Sequence, residues 1–264
     1  MTTYIIAEAG VAAGGSIKVA EKMIKAAKTA GASCIKWQAF IPKLTAQGNK
    51  ELEDILLHTY FGRDELDRLK GFCMSREIDF LCSAFELENL DWLVDIGERR
   101  VKIPSCRNTD RKFLQSACKK FDEVIISTGM MTEGGIHDLW FAGAFDKNKI
   151  KLLHCVSAYP CPFEQVNLAV LNNALCASNV KYSGLSDHTV GWEVSVAAVA
   201  LGAQIIEKHF TLKRINKPDD CVSLEPDEFA DMVRRIRNVE LAMGDGIKRI
   251  MDCEKGLLWR KNQR

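Results

Sequence analysis

Eight short, apolar, β-rich runs alternate with helical runs along 264 residues, and this predicts an α/β protein folded as one closed (β/α)8 TIM barrel. Three observations carry the expectation. The length is that of a complete barrel of this kind, usually about 250 residues. No Pro/Gly/Ser-rich linker or block of like charge interrupts the alternation, so a single domain spans 1–264. The glycines after the first run, Gly10, Gly14 and Gly15, do not form the GxGxxG turn that an open doubly wound sheet would carry.

The strands are expected at Tyr4–Glu8, Ser33–Gln38, Asp79–Ala84, Arg99–Ser105, Glu123–Thr128, Ile150–Cys155, Val180–Leu185 and Gln204–His209, each a short apolar run ending on a polar group. Amphipathic stretches between them predict helices at Ile17–Thr29, Asp64–Glu77, Asn89–Ile96, Arg111–Lys119, Gly134–Ala142, Leu168–Ala177 and Trp192–Leu201. An eighth helix, Pro226–Met243, follows the last strand. Gly31-Ala32, Gly97 and Gly202-Ala203 sit where helices must stop before the next strand begins. Beyond the last helix, the apolar Gly256-Leu257-Leu258-Trp259 either closes the barrel floor or mediates association.

Composition excludes several function classes. With 47% hydrophobic and 27% charged residues the chain reads as a packed globular protein. Its 36 Lys+Arg against 35 Asp+Glu leave a formal charge of +1, which gives no basic face for nucleic acid and no pull toward an anionic membrane. The short basic runs, such as Arg99-Arg100 and Arg234-Arg235, read as solvated faces. No apolar run approaches the ~18–20 residues that span a bilayer, and Met1–Gly10 lacks the basic and apolar regions of a signal peptide. The ten cysteines contain no CxxC pair and read as reduced, mostly buried thiols, so a cytoplasmic location is expected.

The strand ends carry the chemistry. Each predicted strand terminates in a polar group: Glu8, Lys36 with Gln38, Ser83, Lys102 with Ser105, Ser127, His154, Ser186-Asp187-His188, and Glu207 with His209. Barrel active sites are assembled at this carboxyl face from the ends of different strands, so the pattern predicts an enzyme. Parity agrees, because Cys34, Lys36 and Gln38 share one face while Ile35 and Trp37 share the other, and Ile205, Glu207 and His209 align likewise. Lys36 and Lys102 in one pocket need an anionic ligand or carboxylate partners. Ser127-Thr128-Gly129-Met130 offers two hydroxyls and a close backbone approach, a common way to hold phosphate. His188 and His209 end adjacent strands and, with Glu8 or Asp219 nearby, could hold a divalent metal. His154-Cys155 and Cys161 lack zinc-ligand spacing and read as packing.

Several segments occur together in a telling order: Ile6-Ala7-Glu8-Ala9-Gly10, Ile35-Lys36-Trp37-Gln38, Lys102-Ile103-Pro104-Ser105, Ser127-Thr128-Gly129-Met130, His154 to Pro160, Ser186 to Gly191 and Glu207 to Thr211. With Pro218-Asp219 and Ser223-Leu224-Glu225-Pro226 they cover nearly the whole chain, which resembles the sialic acid synthase family, the N-acetylneuraminate and related nonulosonic acid synthases. The resemblance implies a transferase that condenses phosphoenolpyruvate with an N-acyl amino sugar or related aldose and releases phosphate by C–O cleavage with a divalent metal, Mn2+ or Mg2+. It implies His188 and His209 as metal ligands, Lys36, Lys102, Ser105, Ser127 and Ser186 around phosphoenolpyruvate, and Glu8 near the reacting carbons. Gln38, Ser83, Phe85, Tyr159 and Asp219 fall where the family holds its sugar.

The departures from that pattern fall mostly in the sugar half. Arg107 stands where the family has a carboxylate, Ser157 replaces an asparagine, Ala12-Ala13-Gly14-Gly15 replaces Asn-His-Asn-Gly, and Asp220 replaces a histidine. The chain reaches Arg264 about where the family's C-terminal antifreeze-like domain would begin, so that domain is expected to be absent; the family's homodimer, fastened through it, remains a candidate assembly. Arg107 is expected to bind the acceptor, either meeting an altered sugar or standing in for that domain's arginine. Two alternatives stay open: a non-catalytic relative that binds phosphoenolpyruvate or sugar, and a pyruvate aldolase with Lys36 or Lys102 as Schiff-base nucleophile.

Overall fold

The computed structural model describes residues 2–141, 146–172, 181–215 and 219–262. Eight parallel strands pair in chain order and close on themselves: β1 (Tyr4–Glu8), β2 (Cys34–Ala39), β3 (Asp79–Ala84), β4 (Arg100–Ile103), β5 (Glu123–Ser127), β6 (Ile150–Cys155), β7 (Gly184–Asp187) and β8 (Ile205–His209). Closure runs through β1 and β8, where Ile6 faces Glu207 and Glu8 faces His209. Around them lie α1 (Ile17–Thr29), α2 (Pro42–Thr45), α3 (Lys50–Thr59), α4 (Arg63–Ser75), α5 (Leu87–Asp95), α6 (Arg111–Lys120), α7 (Glu133–Phe141), α8 (Glu193–Ala200) and α9 (Pro226–Met243). The predicted (β/α)8 barrel is the observed fold.

The helices form for local reasons and dock by their apolar stripes. Ser16 caps α1 by accepting from the Val19 amide, and Ala20, Met23, Ile24 and Ala27 recur at the spacing of one helix face, all buried. Asp110 caps α6 by accepting from the Phe113 amide. Pro226 opens α9, Glu225 and Glu228 form its capping box, and Phe229, Met232, Val233 and Ile236 form its buried stripe.

Strand alternation splits the core in two. Outward residues such as Ile5, Ala7, Ile35, Trp37, Val101 and Ile103 pack against the helices. Inward residues Ile6, Cys34, Leu81, Ile125, Leu153 and Ile205 fill the lumen. The barrel is therefore solid below its mouth. At the strands' amino ends, Tyr4 donates to Asp79 (2.5 Å) and Arg100 donates to both (2.9 and 3.0 Å). Gly184 opens β7 where a Cβ would lie 1.8 Å from the Ile205 carbonyl oxygen, so only glycine permits this approach of β7 to β8.

Some boundaries differ from expectation. β7 begins and ends later than the predicted Val180–Leu185, whose first residue lies outside the described residues. Of the expected helix Leu168–Ala177, Leu168–Leu171 forms a 3-10 turn, and residues 173–177 lie outside the described residues, as does Ala142 of the helix at Gly134–Ala142. The sequence reading missed α2 and α3, an excursion after β2 in which α3 buries none of its side chains. In the tail Leu257 and Leu258 are exposed, so these two side chains do not plug the barrel floor. The nine described cysteines are all free, five of them buried; Cys176 lies outside the described residues. No described helix is long and apolar enough to cross a membrane.

Candidate active site

A cavity of about 250 Å³ opens above the lumen at the carboxyl ends of the strands. The residues singled out from the sequence as catalytic, substrate-binding or metal-holding line it, with the exceptions of Arg107 and of Thr128, whose hydroxyl donates to the Leu153 carbonyl at 3.1 Å. A larger recess of about 660 Å³ adjoins it across Met130, Cys155 and Ser157. That recess mixes apolar residues such as Met131, Ile136 and Val170 with Glu133, His154 and Gln165 and carries no lysine, whereas both buried lysines line the smaller cavity.

Two buried lysines share one carboxylate at the cavity floor. Lys36 Nζ lies 2.9 Å from Glu8 Oε2 and 3.4 Å from Glu207 Oε2, and it donates to Ser83 Oγ at 2.9 Å. Lys102 Nζ donates to Ser127 Oγ at 2.6 Å and lies 3.7 Å from Glu207 Oε1, which also accepts from Ser186 Oγ at 2.9 Å. Gln38 Nε2 donates to Glu8 Oε1 at 3.0 Å.

These contacts drive the two carboxylates apart. Burial raises the Glu207 carboxyl, but Lys102 and Lys36 outweigh it and hold the group down at about 2. For Glu8 burial wins, with Lys36 opposing and Glu207 adding, and the pKa goes up. Burial opposes the Lys36 ammonium, yet Glu207 and Glu8 more than offset it and raise its pKa. Lys102 goes the other way: burial dominates, Glu207 opposes it and Lys36 adds to the lowering. The Glu207 carboxyl is thus held down by the lysines while that of Glu8 is raised by burial.

The serine wall depends on a residue that sequence reasoning passed over. Buried Asn108 donates to the carbonyls of Ser127 (3.0 Å) and Gly129 (2.9 Å), pinning the turn after β5. Gly129 is required there, because a Cβ would lie 2.2 Å from Ser157 Oγ and 2.6 Å from Ser105 Oγ, the two hydroxyls that converge over it.

On the opposite wall the imidazoles of His188 and His209 have centroids 5.4 Å apart, and the Tyr159 ring lies 4.1 Å from that of His188. Asp219 Oδ2 is 3.8 Å from His209 Nδ1; Pro218 beside it lies outside the described residues. Burial, the neighbouring His188 and Lys36 push the His209 pKa well below the ordinary range, so its ring is neutral. Cys155 Sγ lies 3.9 Å from His188 Nδ1 and 3.6 Å from Ser105 Oγ. Burial raises this thiol, but His188 and the Ser105 hydroxyl bring it down to about 7. Burial lowers His188, and Cys155 together with the Val156 carbonyl reverses that to a net rise.

Besides Thr128, the residues Cys155, Glu207 and Arg107 differ from the sequence reading. Cys155, read as packing, faces the cavity. Leu153 fills the lumen, so strand alternation turns Cys155 inward and His154 outward, where His154 Nε2 meets the Val166 carbonyl at 2.7 Å. Glu207 was recognised as a strand-end group but not as the shared partner of both lysines; its parity with His209 was the available signal. Arg107 does not line the cavity: its guanidinium pairs with Asp110 at 3.0 Å and lies over the Phe113 ring at 4.8 Å.

Comparison with known proteins identifies the family. The NeuB family model matches residues 23–248. The chain is 38% identical to the N,N'-diacetyllegionaminic acid synthase of Campylobacter jejuni serotype O:2, covering 96% of this chain and 81% of that protein. It is 31% identical to the N-acetylneuraminate-9-phosphate synthase of Mus musculus, covering 95% and 74% respectively. Among solved structures, the N-acetylneuraminic acid synthetase of Leptospira borgpetersenii, crystallised with citrate, superposes with a TM-score of 0.90 at 32% identity, covering 100% of this chain and 92% of that one. The chain belongs to the NeuB family and is an enzyme of the synthase type.

Proposed function

We propose that this enzyme condenses phosphoenolpyruvate with an N-acyl amino sugar aldehyde to give a nonulosonic acid and inorganic phosphate. The observation that carries the reading is the pair of buried lysines, Lys36 and Lys102, sharing Glu207 beside the hydroxyls of Ser83, Ser127 and Ser186. Lys36 also has Glu8 at 2.9 Å, whereas Lys102 has only the shared Glu207 at 3.7 Å, so an anionic ligand on the serine hydroxyls would give Lys102 a counter-charge of its own. The named activities of the relatives in legionaminate and neuraminate synthesis point the same way.

The lysines and serines would hold the phosphate and carboxylate of phosphoenolpyruvate and offset their charge as it shifts in the transition state. C3 of phosphoenolpyruvate forms a bond to the aldehyde carbon, and Glu8, its carboxyl pKa raised, supplies the proton that the aldehyde oxygen takes up. Water then adds to the cationic C2, one of its protons restores Glu8 and the other goes to the phosphate, which departs with the bridging oxygen as C2 becomes a ketone. Gln38 fixes Glu8 by its hydrogen bond, while Phe85 and Tyr159 offer rings to the acceptor sugar. We assign no acceptor contact to Arg107, whose side chain is engaged by Asp110 and Phe113.

The residues present fit a divalent metal. Neutral His209 and the adjacent His188 face the same cavity, an imidazole pair suited to Mn2+ or a similar ion. Among the described residues no third His, Cys, Asp or Glu completes a cluster, so substrate oxygens and water would supply the remaining positions. Bound there, the ion would polarise the aldehyde carbonyl as a Lewis acid.

The test is to incubate the purified protein with Mn2+, phosphoenolpyruvate and a panel of N-acyl hexosamines and their 6-deoxy and 6-phospho forms, following phosphate. Acceptor-dependent phosphate release, with the adduct seen by mass spectrometry, is expected; no stimulation by any acceptor sinks the reading. Lys102 supports one rival, because a lowered amine pKa suits a Schiff-base lysine. Borohydride trapping with pyruvate decides between them: the synthase reading predicts no adduct on Lys102.

A further inference from the structure

A second buried ion pair lies on the outer side of the same two strands, away from the cavity. Asp187 and Lys208 are register partners in β7 and β8, their side chains have no solvent exposure, and Lys208 Nζ is 3.3 Å from Asp187 Oδ2. Asp187 precedes His188 and Lys208 precedes His209, so alternation turns the pair outward while the imidazoles turn inward. The pair is fully engaged. Asp187 Oδ1 accepts from the Thr189 amide (2.8 Å) and hydroxyl (2.7 Å), and Oδ2 accepts from Ser195 Oγ of α8 (2.6 Å). Lys208 Nζ donates to the Thr189 carbonyl at 2.5 Å. Backbone on both sides of His188 is thereby tied to the residue that carries His209.

We propose that Asp187 and Lys208 are positioning residues: a cross-strand clamp that fixes the spacing and aim of His188 and His209 toward a bound divalent cation. A buried ion pair is poor as a device for stability, since apolar residues of similar volume often replace one without loss. What apolar residues cannot supply is the directional hold on both flanks of His188. Residues behind metal ligands commonly change metal affinity by about 10–100-fold when altered. The inference rests on the reading of the two histidines as metal-holding residues.

The experiment measures Mn2+ affinity from the free-ion electron paramagnetic resonance signal, alongside the thermal midpoint, on the full chain. The double variant Asp187→Leu/Lys208→Met replaces the pair with apolar side chains. It is expected to fold with a lowered thermal midpoint, since it leaves the Thr189 and Ser195 groups without their partners, while its Mn2+ dissociation constant rises at least tenfold. A folded double variant that binds Mn2+ within threefold of the parent overturns the clamp. Should the double variant not fold, Ser195→Ala, which removes one donor to Asp187, is expected to weaken Mn2+ binding by about threefold or more, and unchanged binding overturns the clamp. His188→Ala/His209→Ala separates the two layers: binding equal to the parent's refutes the metal reading itself, whereas lost binding leaves the clamp to stand or fall on its own variants.

Discussion

Replacing Glu207 with glutamine removes the one charge that both buried lysines share. The carboxylate lies 3.4 Å from Lys36 and 3.7 Å from Lys102. At an effective dielectric of about 20 each pair is attracted by about 5 kcal/mol before desolvation. The net is smaller and is read from the Glu207 carboxyl, which falls from an ordinary 4.5 to about 2. At 1.36 kcal/mol per unit that corresponds to about 3 kcal/mol of folding stability. Because the folded-state pKa is depressed, this contribution is complete above pH 4.5 and is lost as the pH falls through 2. Urea unfolding of parent and Glu207→Gln should therefore differ by about 3 kcal/mol at pH 7, and by less than half of that at pH 3. A difference below about 1 kcal/mol at pH 7, or one that does not shrink in acid, would refute the shared-anion description of the cavity floor.

Other residues make separate predictions. Asn108→Ala leaves the Ser127 and Gly129 carbonyls without their donor; it should cost about 1–3 kcal/mol of stability and raise the KM for phosphoenolpyruvate more than it lowers kcat. Gly184→Ala places a methyl against the Ile205 carbonyl and should destabilise the fold by about 3 kcal/mol in urea unfolding. Cys155, held near 7, should be alkylated by iodoacetamide with a rate that climbs as pH rises through 7, and phosphoenolpyruvate should protect it. Cys34 and Cys82, whose thiols burial raises, should stay unlabelled in peptide maps.

Much of this architecture was legible in the sequence because it rests on strand alternation. Lys36, Gln38, Glu207 and His209 face the cavity as their parity required, and the lumen beneath is filled by Ile6, Cys34, Leu81 and their neighbours. The misplacements have physical causes. The seventh strand was expected early because Ser186 and Asp187 look too polar for a buried strand, and it is the Glu207 and Lys208 partners that make them tolerable there. Helix α3 was missed because it buries none of its side chains, so its periodicity points at nothing. The direction of Arg107 depends on Asp110 and Phe113, which belong to the cap and first turn of α6. Asn108 carries no pattern of its own; only the fold brings it to the turn after β5.

The most direct measurement uses phosphoenolpyruvate labelled with 18O at the bridging oxygen, supplied with Mn2+ and the acceptor panel, with the released phosphate read by 31P NMR. The account predicts acceptor-dependent phosphate that carries the label, because phosphate departs from C2 with its bridging oxygen. Phosphate without the label, or no acceptor-dependent phosphate at all, would contradict it.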